Sequence, residues 1–248
     1  MYAMRRDCLS TMRLKYKGRL VMRCVMAAAA LAVYIFRREM FLAMSGMEFF
    51  RKLTLLHLCW FVWMCDMLLQ IVPVRPAIAI GSLKQFGRYY VPGKPANEEQ
   101  LRGFVRKSDI AAARVFAVWA AVAAAIGTLV LLDVIGRAEI FLICMFFYVC
   151  DLICVLFWCP FRVFLMKNRC CTTCRIFNWD HIMMFVPFVF SGGFYGLSLF
   201  AMSVLVFAVW EAAFHLHPER FWERTNASLR CSQCSDVLCG RTDHKLKL

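Results

Sequence analysis

The chain has 248 residues, of which 62% are hydrophobic and 19% are charged, and its mean hydropathy is +0.61. A soluble domain of this length is ordinarily about 45–50% apolar and about 25% charged. This composition excludes an ordinary soluble domain and favours a membrane protein. The net charge of +14 does not indicate nucleic-acid binding. Its basic residues lie beside the apolar blocks, where cytoplasmic loops retain them and anionic lipid headgroups attract them.

The N-terminal region, residues 1–52, is basic and contains one weak candidate span at residues 20–36. The 17 residues of this stretch are marginal for crossing a hydrocarbon layer about 30 Å thick. Arg23 lies near one end of it, where the side chain can extend towards the headgroups. An alternative interpretation places the natural start at Met47, just before the first strong span.

Two long apolar regions follow, and they predict three strong spans. Residues 53–73 form the first, with Asp66 near its centre. Residues 111–160 form two more, Asp151 lying within the second, and the short connection at Gly136–Glu139 predicts a tight transmembrane hairpin. Each block supplies the roughly 20 apolar residues that a spanning helix needs. Helices are expected because a backbone in lipid must satisfy its own hydrogen bonds.

The last apolar stretch, residues 182–210, contains Pro187 and the sequence Ser191-Gly192-Gly193, which interrupt a helix. It is either one long bent span or a short re-entrant arm at 182–190 that returns through a longer helix at 194–210. Asp180 is predicted to cap this segment and Trp179 to lie at the membrane interface.

The predicted fold class is therefore all-α: a polytopic transmembrane helical bundle with four or five membrane-embedded segments and a small Cys-rich flank. We expect a multi-pass protein of the cell membrane, in contact with the lipid bilayer, and a homo-oligomer or a membrane-complex partner remains open. The positive-inside rule places the basic loops in the cytoplasm. The segments between and after the strong spans are a polar basic loop at 74–110, a Cys-rich basic loop at 161–181 and a polar Cys-rich tail at 211–248.

Fourteen cysteines are present, and six of them lie in polar flanks. Two C-x-x-C pairs, Cys171/Cys174 and Cys231/Cys234, supply the four thiolates of a tetrahedral structural zinc site. Such a site would join the two flanks, with Cys170 and Cys239 as possible additional ligands. Iron could use the same ligands, and a disulfide set or a thiol redox couple are further alternatives. The eight cysteines in or before the spans are expected to be packing residues.

Asp66 and Asp151 form the second candidate site, since each carboxylate lies within a span. A charge at the bilayer centre costs about 2.5–3.5 kcal/mol or more, so such residues ordinarily face a partner, a cavity or an ion. They predict either hydrogen bonds between helices or a small ion- or proton-coupled transporter. The chain contains no Walker loop, nucleophile elbow, H-E-x-x-H or dinucleotide fingerprint, which favours a non-enzymatic role.

Three short sequences carry a resemblance to known proteins. They are Cys-Cys-Thr-Thr-Cys-Arg-Ile-Phe-Asn-Trp-Asp from Cys170, His-Pro-Glu-Arg-Phe from His217, and Thr-Asn-Ala-Ser-Leu-Arg-Cys-Ser-Gln-Cys from Thr225. Over roughly residues 140–240 the pattern resembles uncharacterised bacterial multi-span membrane proteins. The resemblance implies a bacterial membrane protein and no catalytic residue. The leading hypothesis is thus a membrane protein of unassigned function with a structural zinc site, the alternatives being a transporter and a thiol- or iron-based redox protein.

Overall fold

A computed structural model describes the backbone of residues 2–51, 53–72, 82–230 and 232, and the side chains of 13–42, 44–51, 53–72, 83–230 and 232. The described ranges contain helices and no strand, so the predicted all-α class is confirmed. Four helices are long and apolar enough to cross a membrane, which supports the predicted transmembrane bundle. They are Arg13–Phe36, Glu98–Leu131, Arg137–Leu156 and Gly193–Leu216.

The weak N-terminal span is part of one continuous helix, α1 (Tyr2–Phe36, 35 residues). This helix packs chiefly on the helix Arg137–Leu156, and Tyr16 at its basic half contacts Leu152 and Leu156 of that helix. The expectation that Arg23 extends to the headgroups is wrong, because the residue is only 5% exposed. It forms ion pairs inside the bundle instead.

The first strong span is the shorter helix α2 (Leu55–Ile71, 17 residues). Its start is stabilised by a reciprocal cap, in which the Thr54 backbone N–H donates to His57 Nδ1 at 2.9 Å. Trp63 and Met67 are fully buried. The helix therefore lies at the centre of the bundle, packed mainly on the last long helix.

The structure divides the middle of the chain differently from the prediction. Helix α3 (Glu98–Leu131) is continuous, so it begins inside the polar loop predicted at 74–110 and runs on through the predicted span. Helix α4 (Arg137–Leu156) follows a turn at residues 132–136. This turn joins α3 and α4, but α4 packs chiefly on α1, while α3 packs on segments 161–165 and 186–190. The bulky rings of Trp119 and Phe147, with centroids 4.9 Å apart, lie between α3 and α4.

The last apolar stretch follows the second of the two predicted forms, an arm that folds back on a longer helix. The arm consists of a 3-10 turn (Arg175–Trp179), the short helix α5 (Asp180–Phe185) and a second 3-10 turn (Val186–Phe190). It packs on helix α6 (Gly193–Leu216). Gly192 and Gly193 make the reversal with φ of +62° and +71°, a backbone region that favours glycine. A Cβ at Gly193 would also overlap the Met44 carbonyl oxygen.

The loops at one end of the bundle pack on one another, and we call this the basic end. Gly93 N–H donates to Thr225 O at 2.7 Å and Ala227 N–H to Val91 O at 2.8 Å, so the 82–97 segment pairs with residues 217–230. Asn178 Nδ2 donates to Gln85 Oε1 at 2.7 Å, which adds the 175–179 turn. The two basic loops and the tail thus share one end, as far as their described residues extend.

Candidate functional site

A cluster of charged side chains lies between α1, α2, α4 and α5, and we call it the Arg23 cluster. Arg23 Nη1 contacts Asp151 Oδ2 at 2.7 Å and donates to the Tyr148 carbonyl oxygen at 2.7 Å. Its Nη2 lies 3.9 Å from Asp66 Oδ2, which accepts a hydrogen bond from Tyr148 Oη at 2.8 Å. The guanidinium also lies 3.8 Å from the centroid of the Tyr148 ring. The members of the cluster are Arg19, Arg23, Asp66, Gln70, Tyr148, Asp151, Asp180 and His181.

Asp180 and His181, at the start of α5, form the other half of the cluster. Gln70 Nε2 donates to Asp180 Oδ1 at 2.9 Å, and His181 Nδ1 lies 2.7 Å from Gln70 Oε1 and 3.1 Å from Asp180 Oδ1. Both neighbours of Nδ1 are acceptors, so Nδ1 carries the hydrogen in this arrangement. The other ring nitrogen, His181 Nε2, is buried with no hydrogen-bond partner among the described residues. It is the atom of this ring that is free to take a proton or another ligand.

A cavity of about 60 Å³ joins the two halves of the cluster. Its lining includes Arg19 and Arg23 opposite the carboxylates of Asp66, Asp151 and Asp180, together with His181. Two guanidinium groups against three carboxylates leave a formal charge of −1 when the imidazole is neutral. One proton, or one monovalent cation, would bring the cluster to neutrality.

The structure brings together both carboxylates that the sequence singled out, and each lies in the C-terminal half of its helix. Asp66 lies five residues before the end of α2 at Ile71, and Asp151 five residues before the end of α4 at Leu156. Both positions are in the half of the bundle nearer the basic end. The hydrogen-bond partners of these carboxylates lie on other helices, with Arg23 of α1 bound to Asp151 and Tyr148 of α4 bound to Asp66.

Sequence reasoning missed the remaining members of the cluster. Asp180 was expected to cap a helix; it lies in the first turn of α5, and its side chain also accepts a hydrogen bond from Gln70. Trp179 was expected at the membrane interface and is 6% exposed, with Nε1 donating to Glu211 Oε1 at 2.7 Å. The available signal for the cluster was an arginine inside an apolar helix. Such a residue generally pairs with a carboxylate on another helix.

A second buried arginine organises the basic end, and we call its surroundings the Arg175 cluster. The Arg175 guanidinium forms ion pairs with Asp109 of α3 and Glu211 of α6, and Nη2 lies 3.3 Å from His215 Nε2. It also lies 4.0 Å from the centroid of the Phe214 ring. These contacts join α3, the arm and α6, and every guanidinium nitrogen has a partner.

Three cysteines lie close together around the end of α4, Cys154 within the helix and Cys159 and Cys171 beyond it, although Cys154 and Cys159 were expected to be packing residues. The thiols of Cys154 and Cys171 donate hydrogen bonds to Cys159, which lowers the pKa of Cys159 well below its ordinary value. The backbone N–H of Arg162 also donates to Cys159 Sγ, at 3.4 Å. Burial, by contrast, raises the pKa of the neighbouring Cys174 to about 12. Cys154, Cys159 and Cys171 thus form one group of neighbouring cysteines.

The predicted zinc site involves residues outside the described ranges, because Cys231, Cys234 and Cys239 are among those not described. Among the side chains that are described, no group of three or more His, Cys, Asp or Glu residues could hold a metal ion. The zinc prediction requires the Cys-rich loop and the tail to lie close together, and their described residues do. Loop residues 166–169 and tail residues 221–223 line one cavity of about 340 Å³ at the basic end.

No protein-family model, curated protein or solved structure was found to match this chain. The functional argument therefore depends on the residues of the sites themselves.

Proposed function

We propose that this chain is a multi-pass protein of the cell membrane that takes up one proton at the Arg23 cluster, as part of proton-coupled transport. The observation that carries the proposal is the cavity in which three carboxylates oppose two arginines beside a histidine. Ionisable groups inside a helical bundle are expensive, and their usual roles are proton relays and ion pathways.

The charge count supports a proton as the ligand. The side chains of Asp66 and Asp151 are 20% and 19% exposed, while those of Asp180 and His181 are 14% and 5% exposed. Little bulk water reaches these groups, so a formal charge of −1 is poorly screened. Protonation of His181 Nε2 would remove this charge at an atom that has no other partner among the described residues.

The location of the cluster supports exchange with one side of the membrane. Its groups lie nearer the basic end, which the positive-inside rule assigns to the cytoplasm. Arg19 and Tyr16 of α1 line the cavity on that side. A transport cycle would then need a second arrangement of the helices that opens the cluster towards the other side.

Proton flux into liposomes tests the proposal. The purified protein is reconstituted with a pH-sensitive dye inside the vesicles, and a potassium diffusion potential drives cation entry. We expect acidification of the lumen with the wild-type protein and loss of most of it with Asp151→Asn, which keeps the shape of the side chain but cannot carry the charge.

Asp133→Asn is the matched control for this experiment. Asp133 lies in the exposed turn between α3 and α4 at φ 56°, a conformation that asparagine also tolerates. The control should conduct as the wild type does. Equal flux through the wild type and Asp151→Asn would refute the proposal. Sodium-dependent flux without proton movement would show that the transported ion is a metal cation and not a proton.

A structural zinc site remains a second candidate, supported by the shared cavity of the 166–169 loop and the 221–223 tail. Zinc bound by Cys171, Cys174, Cys231 and Cys234 would hold the arm and α6 together at the basic end. Metal analysis of the detergent-purified protein is the test. One zinc per chain, lost in Cys234→Ser, supports the zinc site. Iron with visible charge-transfer absorption would show that the site binds iron instead.

A further inference from the structure

An apolar cavity of about 320 Å³ lies beside the three sulfur atoms. Its wall is formed mostly by aromatic, aliphatic and methionine side chains together with Cys154, Cys159 and Cys171, and the carboxylates Asp151 and Asp180 of the Arg23 cluster also line it. Phe146 belongs to the same lining and is 63% exposed on the outer surface of α4, where lipid acyl chains would lie. The volume falls within the range of small-molecule sites, which are mostly apolar with a few placed polar groups. A lipid-soluble molecule could enter this cavity from the bilayer.

Two hydrogen-bond donors on the cavity wall have no partner. Trp119 Nε1 and Arg162 Nε are both buried, and neither has an acceptor among the described residues. A buried donor without a partner costs free energy, so native structures ordinarily provide an acceptor. The occupant that fits is therefore apolar and carries acceptor oxygens.

The thiols restrict the chemistry further. Cys154, Cys159 and Cys171 line the same cavity, so Cys159 has two neighbouring thiols with which a disulfide could form. Cys171 Sγ also lies 3.4 Å from the carbonyl oxygen of Cys154. A disulfide on the cytoplasmic side of a membrane is ordinarily transient and catalytic, because the compartment is reducing.

We propose that the cavity binds a membrane quinone and that Cys159, with Cys154 or Cys171, forms a thiol pair that the quinone oxidises. A quinone combines an apolar ring with two carbonyl oxygens, which matches the apolar wall and the donors Trp119 Nε1 and Arg162 Nε. The inference rests on the cavity, these donors and the cysteines on its wall. The cavity shares Asp151 and Asp180 with the Arg23 cluster, but the thiol oxidation proposed here is a different reaction from proton uptake at that cluster.

The reaction is balanced as a two-electron exchange. The two thiols lose two electrons and two protons, and one sulfur–sulfur bond forms between Cys159 and its neighbour. The quinone takes up both electrons and both protons and leaves as the quinol. A protein dithiol in the cytoplasm would restore the thiol pair by exchange with the disulfide.

The experiment follows both products of this reaction. The detergent-purified protein is fully reduced, freed of reductant under anaerobic conditions and mixed with a fully substituted benzoquinone that carries a decyl chain. We expect one quinol formed and two thiols lost per chain, with mass spectrometry assigning the new disulfide to Cys159. Cys159→Ser should abolish quinol formation.

Cys144→Ser is the matched control, because Cys144 is a buried thiol of the main core and does not line the cavity. Its quinol yield should equal that of the wild type. Trp119→Phe tests whether the quinone binds in this cavity, since the variant keeps an aromatic ring and removes the N–H group. Loss of one such hydrogen bond should raise the quinone concentration for half-maximal rate roughly 2- to 10-fold and leave the stoichiometry unchanged.

Three results would overturn the inference. One is quinol formation that persists in Cys159→Ser, which would indicate unspecific thiol oxidation. Another is the absence of quinol formation from the correctly folded wild type, checked by its melting temperature. The third is tightly bound zinc that is lost in Cys171→Ser and protects the thiols from oxidation. An unchanged quinone dependence in Trp119→Phe would refute the placement of the quinone in this cavity.

Discussion

The Arg23 and Arg175 clusters have similar components and different surroundings. In each, a buried guanidinium pairs with two carboxylates, lies about 4 Å above an aromatic ring and has a histidine nearby. The side chain of Arg23 is 6% exposed and that of Arg175 is 7% exposed. The two sites therefore do not differ in the burial of their arginine.

The difference lies in the groups around each arginine. In the Arg175 cluster, Asp109 and His215 are 41% and 49% exposed, so water screens their charge. In the Arg23 cluster, the side chains of Asp66, Asp151, Asp180 and His181 are each at most 20% exposed. Excess charge in the first cluster is solvated, whereas excess charge in the second must be balanced by a proton or an ion.

The two clusters also differ in how many of their buried polar atoms have hydrogen-bond partners. Nε, Nη1 and Nη2 of Arg175 all have partners, but Nε of Arg23 and Nε2 of His181 are buried without one among the described residues. A cluster whose donors are all used is suited to holding helices together. A cluster with unused polar atoms around a cavity is suited to binding something.

Arg23→Met should have the largest effect on stability. It leaves Asp66 and Asp151 without their cation inside the bundle, and removing one partner of a buried pair typically costs about 3–5 kcal/mol. The free energy of unfolding, measured by denaturant titration in mixed micelles at neutral pH, should fall by about this amount.

The same variant should recover stability relative to the wild type as the pH falls. Protons bound by Asp66 and Asp151 replace the missing guanidinium in the folded variant, so the penalty shrinks with acidification. A loss of stability that stays constant between about pH 7 and pH 5 would contradict the assignment of unpaired carboxylates.

Arg175→Met should cost less, roughly 2 kcal/mol. Trp179 Nε1 still donates to Glu211, and Asp109 remains in contact with water. The loss should depend weakly on pH, because the exposed carboxylate does not need a proton to be accommodated. Arg224→Met, at an exposed residue of the same end, is the control and should change the free energy of unfolding little. A larger loss for Arg175→Met than for Arg23→Met would reverse the comparison.

The sequence predicted those parts of the fold that depend on local composition. Apolar runs predicted the helices, and Gly192–Gly193 predicted the reversal before α6. The packing of α4 on α1 rather than on α3 was not predictable. A short connection implies that two helices are neighbours, but the side chains between them decide whether they pack on each other. The bulk of Trp119 and Phe147 lies between α3 and α4.

The sites show the same division. Asp66 and Asp151 were identified because a carboxylate in an apolar helix is unusual. Their partner Arg23 lies 128 residues from Asp151 along the chain, and only the relative rotation of α1 and α4 brings the two together. Cys159 was classed as a packing residue because it lies in an apolar stretch. Its neighbour Cys171 belongs to a loop, and the path of a loop has no periodic pattern in the sequence.

His181→Asn should have the smallest effect on stability and a large one on function. The Nδ2 amide of asparagine can replace His181 Nδ1 as the donor to Gln70 and Asp180, so the cost should stay near 1 kcal/mol. The substitution removes Nε2, which is the atom proposed to take up the proton. Proton flux in the liposome assay should therefore fall strongly while the protein remains folded.

The pH profile of this variant separates a proton site from a structural histidine. If His181 only positions Asp180, the asparagine variant should retain the flux of the wild type and the same dependence on pH. If His181 carries the proton, the residual flux should lose the response near neutral pH that an imidazole provides. The Arg175 cluster offers the matched comparison, because His215→Asn lies beside the other buried arginine and should leave both the flux and its pH profile unchanged.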